Sequence, residues 1–179
     1  ATASYKKSET SKAFKLNAKT NGNGKLTYTT SNKAVATVDA AGKVTVKGPG
    51  VAKITVKAAA TTDYKAASKT VTVTVVPKKQ SISLINKIKK QLTIKWKKNT
   101  KASGYQVVYS TNKKFTGKKT VRKAKTTTSY KIKGLKKGKK YYVKVRSYKT
   151  VNGKRIYGAY STVKKAVSYT HLTLPTKLE

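Results

Sequence analysis

Leu92-Thr-Ile94-Lys-Trp96 sets three apolar side chains on one face of an extended chain and leaves Lys95 on the other. A period of two is the mark of a strand with one buried face. Tyr105-Gln-Val107-Val-Tyr109, Tyr130-Lys-Ile132 and Tyr141-Tyr-Val143-Lys-Val145 repeat the pattern after it. Before it come Phe14-Lys-Leu16-Asn-Ala18, Leu26-Thr-Tyr28, Val35-Ala-Thr-Val38, Val44-Thr-Val46, Ala52-Lys-Ile54-Thr-Val56 and Val71-Thr-Val73-Thr-Val75. Turn chemistry separates these runs: Asn21-Gly-Asn-Gly24, Asp39-Ala-Ala-Gly42 and Gly48-Pro49-Gly50. No segment of ten or more residues carries a 3.6-residue period, so the chain reads as all-β. Pro77 cannot donate to a central ladder and opens the polar stretch Pro77-Lys-Lys-Gln-Ser81, which marks a boundary between two units.

Charge separates those halves. The 179 residues carry 43 Lys and Arg against four acids, a formal net charge of +39. Residues 79–167 hold 25 Lys, three Arg and no Asp or Glu. A surface shaped only for solubility mixes signs; this one repels itself and attracts polyanions. With 40 Lys to three Arg, the attraction is expected to be delocalised and salt-dependent. Arginine's planar fork is the group that clamps phosphate rigidly.

The inventory for catalysis is thin. The single histidine, His171, lies near the C-terminus, and there is no cysteine, so neither a Ser-His-Asp arrangement nor a thiolate site is expected. Glu9, Asp39 and Asp63 are scattered, and Asp39 reads as a turn residue accepting local backbone hydrogen bonds. Gly22 and Gly24 lack the third glycine and helix of a dinucleotide site. The reading is of a protein that is not an enzyme and uses no cofactor or metal. No run approaches the roughly 20 apolar residues of a membrane helix.

Tyr28-Thr-Thr-Ser-Asn32, Val35-Ala-Thr-Val-Asp39, Gly42-Lys-Val-Thr45 and Gly48-Pro-Gly-Val-Ala-Lys-Ile-Thr-Val56 resemble the bacterial immunoglobulin-like group 2 family. That resemblance implies a small β-sandwich of bacterial surface proteins and adhesins, without catalysis. In the second half, the runs from Leu92 to Val145 resemble a fibronectin type III domain. The resemblance makes Trp96 the core tryptophan of the second strand and Tyr141 a tyrosine corner, its hydroxyl bonded to nearby backbone. Gly158-Ala-Tyr160-Ser161 then resembles the entry to the last strand. No Arg-Gly-Asp occurs. The organisation that follows is two small Ig-like and fibronectin-type β-sandwiches in tandem: residues 1–77, a linker at 78–82, and residues 83–167. Residues 168–179 change composition and read as a non-native tail. The start at Ala1 instead of Met reads as an excised segment.

With strands in that register, Tyr142-x-Lys144-x-Arg146-x-Tyr148 faces water, placing two cations between two rings at steps of roughly 6.5–7 Å. Lys119, Arg122, Lys136, Lys137, Lys139, Lys140, Lys154 and Arg155 add charge from neighbouring strands and turns. The expected role is a monomeric, extracellular bacterial cell-surface module that holds anionic polymers such as cell-wall teichoic acid or sulfated glycans. It would serve as adhesive and spacer. DNA or RNA is the alternative partner, since exposed rings also stack on bases. A passive stalk for a missing functional domain is the third reading, in which the outward lysines simply guard sheet edges.

Overall fold

The computed structural model describes residues 3–86, 88 and 90–168. Fifteen strands form among them, with no helix. By compactness the chain divides into two units: residues up to Lys78 together with Lys149–Tyr157, and Lys79–Tyr148 with the residues from Gly158 on.

In the first unit, β1 (Ser4–Ser8), β7 (Ala67–Val76), β6 (Gly50–Ala58) and β3 (Leu26–Thr30) make a four-stranded sheet in that order. Only the β1–β7 pair is parallel; β6 is antiparallel to both of its neighbours. A three-stranded sheet of β2 (Phe14–Lys15), β5 (Lys43–Val46) and β4 (Ala36–Val38) supplies the opposite wall. Alternation in β6 and β7 buries Ala52, Ile54, Val56, Val71, Val73 and Val75, against Leu16, Val35, Ala36 and Val44. Burying each of the larger side chains fully contributes about 1.5–3 kcal/mol.

The loop joining β4 and β5 follows from its residues. Asp39 Oδ1 accepts from the N–H groups of Ala41 (3.0 Å) and Lys43 (2.9 Å). Gly42 takes φ +76°, with the Tyr28 ring where a Cβ would stand. Asp39 is the turn residue its sequence context indicates. The Gly22–Gly24 segment is likewise a turn: a Cβ on Gly24 would fall 2.3 Å from the Ala59 carbonyl oxygen.

The second unit pairs a three-stranded sheet, β12 (Ser129–Ile132), β9 (Leu92–Trp96) and β8 (Ile82–Ile85), with a larger one. The latter runs β11 (Lys119–Ala124), β10 (Gly104–Ser110), β13 (Lys140–Val151), then β14 (Lys154–Tyr157), with β15 (Lys164–Val167) also on β13; the end of the β13–β14 hairpin is the segment Lys149–Tyr157 that compactness groups with the first unit. Between the sheets lie Ile82, Leu92, Ile94, Trp96, Tyr105, Val107, Ile132, Leu135, Tyr141, Val143 and Val145. Trp96 is 6% exposed, its ring centroid 5.4 Å from that of Tyr105. The Lys136 N–H donates to the Tyr141 hydroxyl at 3.1 Å, closing the tyrosine corner.

Three details differ from the sequence reading. Within the 78–82 linker, Gln80 is 4% exposed and donates to Ser147 Oγ at 3.3 Å, more buried than its polar context indicates. Gly158–Ser161 does not enter the last strand directly. It runs beside β13 irregularly, with Ser161 Oγ accepting from the Val145 N–H (3.0 Å) and the Ser161 N–H donating to the Val145 carbonyl (2.7 Å). Regular pairing resumes only at Lys164. Ser168, assigned to the tail by composition, exchanges backbone hydrogen bonds with the Gly138–Lys139 turn. The rest of the tail, including His171, lies outside the described residues.

Candidate anion-binding face

The candidate residues fall into groups that strand parity and pairing separate. On β13 the odd residues Tyr141, Val143, Val145 and Ser147 point into the core, while Tyr142, Lys144, Arg146 and Tyr148 occupy the outer face. All four of these outer residues are half-buried. The expectation of water-exposed side chains along this strand therefore holds for the face and fails for the degree of exposure.

The reason lies in what folds over the sheet. Lys144 carries its ammonium 3.9 Å from the Phe115 ring centroid and 4.5 Å from that of Tyr160. The Arg146 guanidinium stacks on Tyr160 at 4.3 Å. Gln106 Oε1 accepts from Arg146 Nε (2.7 Å) and from the Tyr160 hydroxyl (3.1 Å). These side chains roof β10, whose outer residues Gln106 and Val108 are 8% and 1% exposed. Alternation alone would leave both in water. Phe115 reaches its place from the loop after β10, with φ +62°, a conformation that is uncommon for a bulky residue. Asn112 Oδ1 accepts from the Lys114 N–H at 2.7 Å and helps shape that loop.

Tyr148 lies against Gly104, its partner across the strands, and a Cβ there would come 2.6 Å from the Tyr148 hydroxyl. Phe115 and Tyr160, which the sequence spacing did not single out, are rings that hold these cations. The local signal was a two-residue period along one strand. Phe115 and Tyr160 arrive from loops, where no period exists to reveal them.

Arg122 and Lys119 part company on β11. Arg122 is paired with Gln106, an outer-face position, whereas Lys119 is paired with Tyr109 on the core side of β10. Lys123, of the same parity as Lys119, places its ammonium 4.5 Å from the Tyr130 centroid. Lys136, Lys137, Lys139 and Lys140 are exposed around Gly138, in a turn fastened by the Gly138 N–H to the Ser168 carbonyl (2.9 Å). Lys140 also borders a cleft of about 410 Å³ with Lys165, Leu84 and Asn86. Lys154 and Arg155 lie on β14, in the segment Lys149–Tyr157 that groups by compactness with the first unit.

Burial, with Tyr130 beside it as charge and hydrogen-bond partner, raises the Tyr109 phenol above its ordinary value of 10. Among the described residues, no group of three or more His, Cys, Asp or Glu converges to hold a metal, and no helix is long and apolar enough to cross a membrane.

The geometry thus gathers ring-held cations on one outer face of a β-sandwich. Its kind is given by family models. Residues 9–61 match the intimin immunoglobulin-like domain and residues 76–163 match the fibronectin type III domain. The chain is an intimin-type Ig-like domain followed by a fibronectin type III domain. The Ig-like half thus matches through the intimin model, where its motifs had resembled the group 2 family. No curated protein matches.

Among solved structures, the chain resembles the FN1–FN3 domains of chicken CNTN1 (16% identity, TM-score 0.47), covering 73% of this chain and 48% of that one. It therefore spans about half the length of that neighbour. It also resembles a computationally redesigned β-sandwich protein (13% identity, TM-score 0.44), with 51% of this chain and 95% of that chain covered. A third likeness is to the sixth fibronectin type III domain of human fibronectin type III domain containing protein 3. There the identity is 16%, the TM-score 0.43, and the coverage 55% of this chain and 91% of that one. Ig-like and fibronectin type III domains fit a surface adhesin or spacer and are typically non-catalytic scaffolds.

Proposed function

We propose that the protein is a non-catalytic bacterial surface module that holds anionic polymers, cell-wall teichoic acid or sulfated glycans, through its second domain, with the tandem acting as spacer. One observation carries this reading: two outer-face cations of the second domain, Lys144 and Arg146, are fixed by aromatic rings and a glutamine amide, with no acid in the sequence from 79 to 167. A carboxylate partner would cancel the charge it positions. A ring holds the charge in place and leaves it positive, so the face keeps its attraction for a polyanion.

Nucleic acid is the less favoured partner. Sequence-tolerant binding of single strands relies on rings open for base stacking, and here Tyr148 lies on Gly104 while Tyr160 is already stacked with cations. The test is retention on immobilised teichoic acid and heparin across a salt gradient. Binding should weaken steeply and log-linearly as salt rises. Retention that is flat from low to high salt would sink the electrostatic mechanism, and equal affinity for single-stranded DNA and heparin would restore the alternative.

A further inference from the structure

Only three of the 43 cations are arginines, Arg122, Arg146 and Arg155, and pairing brings two of them together. Arg122 on β11 and Arg146 on β13 both face Gln106 on β10, one from each side. Two strand spacings put their backbones roughly 10 Å apart, with both side chains on the outer face. Lys144, two residues along β13 and opposite Val108, adds a third cation to the same patch. Two of the three are held before any ligand arrives. Arg146 lies on Tyr160 with its Nε on Gln106, and Lys144 lies between Phe115 and Tyr160.

We propose that Arg122, Lys144 and Arg146 form a discrete site for a sulfate or phosphate ester group of a polymer, set within the wider lysine field. The inference rests on the polyanion reading above and gives it a locus and a chemistry. Guanidinium groups offer a planar fork that matches the oxygens of such esters two at a time, which an ammonium cannot do. Two forks on one row of the outer face, with a point charge two residues along, describe a site for a tetrahedral oxyanion. Side chains fixed in advance lose less freedom on binding. The exposed lysines of the Lys136–Lys140 turn supply long-range attraction around that site, without a preferred geometry.

The charge-preserving double variant Arg122→Lys, Arg146→Lys separates fork recognition from diffuse attraction. Its affinity for a heparin octasaccharide and for poly(glycerol phosphate), at one fixed salt concentration, is compared with that of the wild-type chain. A second variant, Lys137→Gln with Lys139→Gln, lowers net charge away from the site. The Arg-to-Lys variant is expected to bind at least one probe about tenfold more weakly, and the glutamine variant only about two- to threefold more weakly. Whichever probe suffers the tenfold loss identifies the ester. Arg122→Lys alone, at an exposed position, keeps the fold intact and should account for about threefold of the loss. Unchanged affinity of the double variant for both probes overturns the discrete site and leaves the diffuse reading standing. Failure of the wild-type chain to bind either probe overturns both.

Discussion

The two domains are both basic, yet they are stabilised against that charge by different means. Residues 1–78 carry 14 Lys with three acids, and Asp39 is spent on a turn, where it accepts two backbone N–H groups. One stacked cation stands out there, Lys7 at 4.6 Å from the Phe14 ring and 6.0 Å from that of Tyr5. Residues 79–167 carry twice as many cations and no acid, and their stacking is denser: Lys123 on Tyr130, Lys144 on Phe115 and Tyr160, Arg146 on Tyr160. Where carboxylates are missing, ring faces take over their positioning role. Each such contact contributes about 0.5–1 kcal/mol at an exposed site, so it orders the cation without neutralising it. The comparison teaches that ring faces order Lys123, Lys144 and Arg146 in the domain whose sequence offers no acid from 79 to 167.

The largest expected effects test whether the two cores are separate. Ile94→Ala and Ile54→Ala each empty a position with no exposed surface, one in each core. Each should cost about 2–5 kcal/mol. Trp96 is the chain's only tryptophan, so its fluorescence in a urea titration follows the second domain. Ile94→Ala should move that midpoint strongly, and Ile54→Ala should show mainly by circular dichroism. An equal shift of the Trp96 midpoint by Ile54→Ala would mean that the two cores melt as one.

Next in size is Gly104→Ala, with a cost of about 1–3 kcal/mol. The new Cβ would meet the Lys123 carbonyl oxygen and the Tyr148 hydroxyl, each at 2.6 Å. Backbone on one side leaves the ring to give way. The Lys123 carbonyl is backbone, so the cost persists even if the Tyr148 ring swings out; a variant that melts like the wild type would show that β11 shifts freely beside Gly104.

Salt should separate the halves more gently. Raising NaCl from 0.01 M to 0.15 M shortens the screening length from about 30 Å to about 8 Å. Relief of self-repulsion should therefore stabilise the acid-free domain by about 1 kcal/mol, a few degrees in Tm, and the first domain by less. Calorimetry of the two transitions reads this directly. A larger gain in the first domain would contradict the account of where the repulsion resides.

Most of the fold could be read from the period of two, because one-faced burial writes itself into neighbouring residues. Leu92 to Trp96 and Val71 to Val75 bury the alternate positions their pattern indicates. The tyrosine corner was legible as well, since Tyr141 and Lys136 are local partners. The site was legible only in part. Arg146 and Lys144 could be placed on a face from spacing along β13, but the pairing of Arg122 with Arg146 around Gln106 depends on strand register across 40 residues of chain. Phe115 depends on a loop residue taking positive φ, and a bulky aromatic gives no advance notice of that. Val108 looked like an outward residue for the same reason: what covers it comes from elsewhere in the chain.

The smallest effect concerns pH and returns to the inner edge of the charged sheet. Tyr109 packs with Tyr130 and Tyr141, which lie near it from β12 and β13, and Lys119 is its neighbour on β11. Burial and Tyr130 raise its phenol above 10, so the folded state keeps this proton at a pH where the unfolded chain has begun to lose it. The folded form then binds more protons than the unfolded one, and stability must fall as pH rises from about 10 toward the folded value. Below pH 10 the contribution is fully present. Tyr109→Phe removes the ionisation while keeping the ring, so the variant should lose less stability than the wild type between pH 9 and 11 in paired urea titrations. Parallel losses in the two proteins would show that the alkaline weakening of this domain originates elsewhere on its surface, away from the Tyr109–Tyr130 pair.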